Sequence, residues 1–117
     1  MMKNMKNDAL ELAKYYDSWI DECAQTNSLN TIRSYESAMN LYIDFLEDVK
    51  GLKSSSFSSS SDFSHETIKE WLFWLKNKRG CSPQSCNVRL ASIRAYLQCL
   101  GEQDIKYRYL LLESKNI

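Results

Sequence analysis

Ile32, Tyr35, Met39, Tyr42, Leu46 and Val49 recur in alternating steps of three and four residues. An α-helix turns once in about 3.6 residues, so this spacing lines a single helix face for roughly six turns. The stripe is too wide and too long to leave in water, and a chain that carries it must supply other elements to cover it. The opposite face is divided. Arg33, Ser37 and Asn40 lie near its start, whereas Asp44, Glu47 and Asp48 follow further on. A polyanion could approach only the first half, because the carboxylates of the second half would repel it.

The partner elements are helical too. Leu12, Tyr16, Trp19, Ile20 and Cys23 form an apolar stripe on a first helix from Asp8 to about Cys23, followed by the polar connection Gln25-Thr26-Asn27-Ser28. Ser28 can cap a second helix of about Leu29 to Val49, and Gly51 can end it. Ser64 can cap a third helix with the stripe Ile68, Trp71, Leu72 and Leu75. Its end gathers Lys76, Lys78 and Arg79, cations that suit the terminal carbonyls, before Gly80. Ser82-Pro83 opens a fourth helix, since proline at the first helical position loses no hydrogen bond. Cys86, Leu90, Ile93, Leu97 and Leu100 are its core stripe, and Gly101 is expected to stop it. Away from that stripe lie Gln84, Ser85, Val88 and Ser92, small or hydrogen-bonding side chains with Arg89 at their edge. Ile105 to Glu113 suffices for a short fifth helix docked through Tyr107, Leu110 and Leu111.

With 117 residues, the whole chain 1–117 is expected to form one domain around one core. Three Gly and one Pro leave little for a turn-rich β fold. Residues 1–7 are expected to be flexible, and the serine-rich stretch 53–63 a mobile loop with too little apolar surface to order itself. No run is apolar enough to cross a membrane and no signal-peptide core is present, so a cytoplasmic protein is expected. Cys23, Cys81, Cys86 and Cys99 lack metal-ligand spacing and are read as reduced, mostly packed thiols. The net charge is zero, which argues against a simple nucleic-acid binder, yet residues 1–50 sum to −4 and residues 64–117 to +4.

Catalysis needs a nucleophile with a base, tuned carboxylates or a metal cluster. The one histidine, His65, falls in the first turn of a helix, where it reads as a solvated side chain. No phosphate-binding glycine loop, dinucleotide turn or zinc motif occurs. The chain by itself is therefore expected to be no enzyme and to need no cofactor, metal or small-molecule substrate.

Two stretches resemble a known family. Ser28-Leu-Asn-Thr31-Ile-Arg33-Ser34-Tyr35-Glu-Ser37-Ala-Met39-Asn-Leu-Tyr42 is similar to the head of the second helix in the N-terminal core-binding (SAM-like) domain of tyrosine recombinases, the phage-type integrases. Ser82-Pro-Gln84-Ser85-Cys-Asn87-Val88-Arg89-Leu90-Ala-Ser92-Ile93-Arg94-Ala-Tyr96-Leu97 is similar to that family's fourth-helix pattern, and an Ile-x-x-Trp-Leu helix lies between the two. Ser85 stands where threonine is commoner and Cys86 where an aliphatic residue is usual. The resemblance implies an all-α, four-helix bundle of two crossed hairpins plus a short fifth helix, which covers one face of double-stranded DNA at a recombination site. A catalytic domain absent from these residues would clamp the other face, with residues 113–117 starting the linker to it and neighbouring recombinase protomers as further partners. By position, Thr31, Arg33, Ser34 and Ser37 of the second helix and Gln84, Ser85, Val88, Arg89 and Ser92 of the fourth would line the DNA. Thr31 and Ser85 have a second reading as hydroxyls serving their own helix starts, and Arg89 as partner of a nearby acid. Arg94 projects to the other side and reads as a structural ion pair or domain contact.

The rival class is a helical protein-interaction module without nucleic acid, which neutral charge and exposed aromatics such as Phe73 or Trp74 would suit. It leaves the two ordered stretches unexplained. A helix-turn-helix regulator needs a short turn before its recognition helix, and the long serine-rich stretch fits that poorly.

Overall fold

A computed structural model of the chain describes residues 9–53, 56–115 and 117. The expectation of a flexible 1–7 falls outside them. The described residues form helices and connections: α1 (Ala9–Thr26), α2 (Leu29–Asp48), α3 (Ser59–Asp62), α4 (His65–Asn77), α5 (Pro83–Gln103) and α6 (Arg108–Ser114), with a 3-10 turn at Ile105–Tyr107. The third, fourth and fifth helices expected from sequence are α4, α5 and α6. The fold is the expected all-α bundle, to which the one-turn α3 is an addition.

Three helices begin with the same device. The hydroxyl of Ser28 accepts the Thr31 N–H, that of Ser64 the Thr67 N–H and that of Ser82 the Ser85 N–H, each at 3.2 Å. Each cap satisfies one of the amides that a helix start leaves without an intrahelical acceptor. At the other ends, Gly51 and Gly80 take φ of 64° and 67°, where a side chain would be strained.

α1 and α2 form one hairpin, α4 and α5 the other, and α5 packs against α1, α2, α4 and α6. Trp71, Tyr42, Tyr96, Phe45, Ile93, Leu97 and Leu100 are fully buried between them. Aromatic rings hold each hairpin and join the two: Trp19 stacks on Tyr35 within the first with centroids 4.5 Å apart, and Tyr16 meets the Tyr96 ring of the second edge-on at 5.7 Å. Two of the buried tyrosines donate to carbonyls, Tyr96 to Leu12 at 2.7 Å and Tyr42 to Asp62. Burial, with Asp62 and Glu70 nearby, pushes the Tyr42 hydroxyl well up, so it remains a donor.

The structure departs from four expectations. Residues 54–55 lie outside the described residues, but 56–63 of the serine-rich stretch are packed against the bundle and include the one-turn α3. Phe63 stacks on Tyr42 at 5.0 Å and Phe57 meets Phe63 edge-on, so two aromatics anchor a segment whose serines alone could not order it. Between them the Asp62 carboxylate accepts the Ser58 N–H at 2.8 Å and the Thr67 hydroxyl donates to the Ser61 carbonyl at 2.7 Å. Gly101 does not end α5; it is buried inside it, and a Cβ there would lie 3.2 Å from the Arg108 Cα. The glycine admits the backbone of the returning chain. Lastly, Glu113 and Ser114, assigned from sequence to the start of a linker, belong to packed α6: the Ser114 carbonyl accepts from Arg94 at 2.8 Å and the Glu113 carboxylate meets His65 at 3.3 Å. His65 is thus a half-buried partner of α6 rather than a solvated side chain.

The far end of the bundle is tied to α1 by Glu11, whose carboxylate accepts from the Tyr107 hydroxyl and pairs with Lys106 at 3.0 Å. These two partners, Tyr107 first, hold the Glu11 carboxyl below its ordinary range. A lowered folded-state pKa stabilises the fold above the unfolded value and loses that contribution as pH falls through the folded one. Between pH 6 and 3 the melting temperature of the wild type should therefore fall more steeply than that of Glu11→Gln. Parallel curves would show the tie to be without weight.

Candidate nucleic-acid interface

Thr31 and Ser85 are accounted for by their helix starts. Their side-chain hydroxyls meet the capping serines at 3.0 and 3.1 Å, and Thr67 on α4 meets Ser64 in the same way at 3.1 Å. Since a helix outside the proposed DNA face uses the same pair, capping alone explains why these hydroxyls occur where they do.

The remaining positions divide by exposure. On α2, Arg33 is exposed and Ser34 and Ser37 are half-buried. On α5, Gln84 is exposed and Val88 is 50% exposed, but Ser92 is only 5% exposed and its hydroxyl donates to the Val88 carbonyl at 3.0 Å. Ser92 is therefore turned into the protein, a correction to its expected place on the outer strip. The cause is that α5 is packed by four helices and keeps a narrow outer sector, which runs through Gln84, Asn87, Val88 and Ala91. Asn87 is the residue the stripe reading missed, although it lies one turn from Gln84 and is exposed.

The two helices are joined where they cross. Arg89 donates through Nη1 to the Ser37 hydroxyl at 3.0 Å, over 52 residues of sequence. No acid of the described residues pairs with Arg89, so the salt-bridge alternative does not hold. Arg94 makes no ion pair either; it is a domain contact to α6 through the Ser114 carbonyl. Of the cations closing α4, Arg79 lies over the Trp74 ring at 5.0 Å and pairs with Asp44 at 3.4 Å, which masks one carboxylate of the acidic half of α2.

An apolar groove of about 290 Å³ lies elsewhere, lined by Leu12, Tyr16, Met39, Leu46 and Phe57 and flanked by Asp17 and Glu47. Those carboxylates make it a poor seat for a polyanion. The four cysteines are half-buried free thiols, and burial is the main cause that pushes Cys23, Cys86 and Cys99 up, the last to about 11. Among the described residues no cluster could hold a metal and no helix is long and apolar enough to cross a membrane.

Residues 16–104 match the family model of the phage integrase N-terminal SAM-like domain. The chain belongs to this family. The match spans α2, α4 and α5 whole and all but the first turns of α1, so both stretches that suggested the integrases from sequence lie inside it. No curated protein and no solved structure matches the chain. In the SAM-like domain α2 and α5 each start on a serine cap and expose polar side chains, and the Ser37–Arg89 bond joins them; Arg33 and Arg89 are the cations among the positions named above.

Proposed function

We propose that the chain is the DNA-binding part of a site-specific tyrosine recombinase, gripping duplex DNA with the outer sides of α2 and α5. The strand cleavage and rejoining belong to a catalytic domain outside these residues, and that domain and neighbouring protomers are its protein partners. Family membership across both helices is the observation that carries this reading. In support, Arg33, Gln84, Asn87 and Val88 are exposed on two helices that one hydrogen bond holds together. Arginine and amide side chains can reach base edges, while phosphates take the less specific contacts. With few cations the isolated domain binds weakly, and its affinity falls with salt in proportion to the few phosphates it neutralises.

The test is an NMR titration of the 117-residue chain with duplex DNA at low salt. Shifts should gather at Arg33, Gln84, Asn87 and Val88 and vanish on adding salt. A response confined to α4 around Phe73, which is 70% exposed, or none at all near Arg33 and Gln84, would overturn the assignment of the DNA face to α2 and α5.

A further inference from the structure

Arg89 is in an unusual position for an arginine that serves only the fold. It is half-buried, its Nη1 is spent on the Ser37 hydroxyl at 3.0 Å, and its Nε is buried without an acceptor. No carboxylate of the described residues balances its charge; Asp44, on the same helix as Ser37, pairs with Arg79. Drawing a guanidinium partly out of water with no counter-charge costs free energy that a structural arginine recovers from an acid. Arg94, whose Nε is likewise buried and unpaired, recovers some of it by donating to the Ser114 carbonyl under α6. Arg89 instead sits half-buried at the α2–α5 seam, and although Nε is closed off, its Nη2 is not among the buried unpaired atoms, so the missing partner can reach that nitrogen from solution.

We infer that Arg89 takes a single backbone phosphate of the duplex and that Ser37 is the residue that positions it. This rests on the DNA-binding reading above. The chemistry selects phosphate over a base edge. Reading guanine uses both arms of the guanidinium fork on O6 and N7, at the end of an extended side chain. Here one arm is committed and the side chain is folded against the crossing, which leaves donors for one anionic oxygen. Base reading then falls to exposed Arg33, Gln84 and Asn87. Ser37 touches DNA only through Arg89.

The experiment uses the full chain and two duplexes: one enriched by the wild type from a randomised pool, the other arbitrary. Arg89→Ala should weaken both by the same factor, about tenfold, and make the salt dependence shallower by about one ion. Arg89→Lys keeps the charge and should restore most of the salt slope without the full affinity. Ser37→Ala should act in the same uniform sense but less, and should add nothing in an Arg89→Ala background, because its effect passes through the arginine. Circular dichroism melts establish that each variant is folded, and Arg89→Gln, a neutral side chain that retains a donor, serves if the alanine variant is not. A changed base preference in Arg89→Ala, or an added loss from Ser37→Ala in its absence, overturns the assignment. Binding that ignores Arg89 altogether overturns it while leaving the DNA-binding reading intact, whereas a wild type that binds neither duplex overturns both.

Discussion

Trp71→Ala should cost about 3–5 kcal/mol, the range for emptying a fully buried aromatic site. A domain of this size has only about 5–15 kcal/mol in total, so the variant should be largely unfolded at physiological temperature. Trp71 has no measurable exposure and meets the Tyr42 ring edge-on at 5.0 Å. Tyr42 in turn stacks on Phe63, so the cavity would open beneath the contact that orders the serine-rich segment. The indole Nε1 is buried with no hydrogen-bond partner. Trp71→Phe removes that orphan donor together with part of the ring, and should be much milder than alanine. Urea unfolding followed by circular dichroism measures both. An alanine variant with a midpoint close to the wild type would mean that α4 does not pack as described.

Arg33→Glu should leave stability within about 0.5 kcal/mol of the wild type, since Arg33 is exposed and in no ion pair of the described residues. Duplex affinity, in contrast, should drop by more than about tenfold, because the change removes a cation and adds a second carboxylate beside exposed Glu36 at the start of α2. Lys69→Glu on α4 makes the same change in net charge away from the proposed face and serves as the control. Fluorescence anisotropy with a labelled duplex at low salt separates the two. Equal losses would mean that only overall charge matters and that α2 has no privileged contact with DNA.

Much of the fold could be read locally. Ser28, Ser64 and Ser82-Pro83 cap their helices as their residue types require, and the three-four stripe of α2 is buried at Ile32, Met39, Tyr42 and Leu46, half-buried at Tyr35 and exposed only at Val49. Local rules failed where one residue type serves two purposes. Glycine both stops helices and admits neighbours, and only the approach of Arg108 shows which use applies at Gly101. Serine composition suggested disorder at 53–63, yet Phe57 and Phe63 at its flanks were the legible sign of anchoring. The candidate interface was less legible than the fold. Periodicity separates a buried stripe from an exposed side, but it presumes one covered face, and α5 is covered on several. That is why Ser92 was placed outward and Asn87 overlooked. The Ser37–Arg89 bond depends on how two helices cross and leaves no local trace.

The central position of α5 has a mechanical consequence. Its 21 residues form a rod of roughly 31 Å, at about 1.5 Å per residue, with no proline beyond its first turn. One end presents Gln84, Asn87 and Val88; the other is gripped by the returning chain at Gly101 and braced by Arg94 against α6. Four helices hold this shaft along its length, so a push or tilt at the outer end has no soft joint in which to dissipate before it reaches α6. A tilt of α5 at that outer end would therefore carry α6 with it.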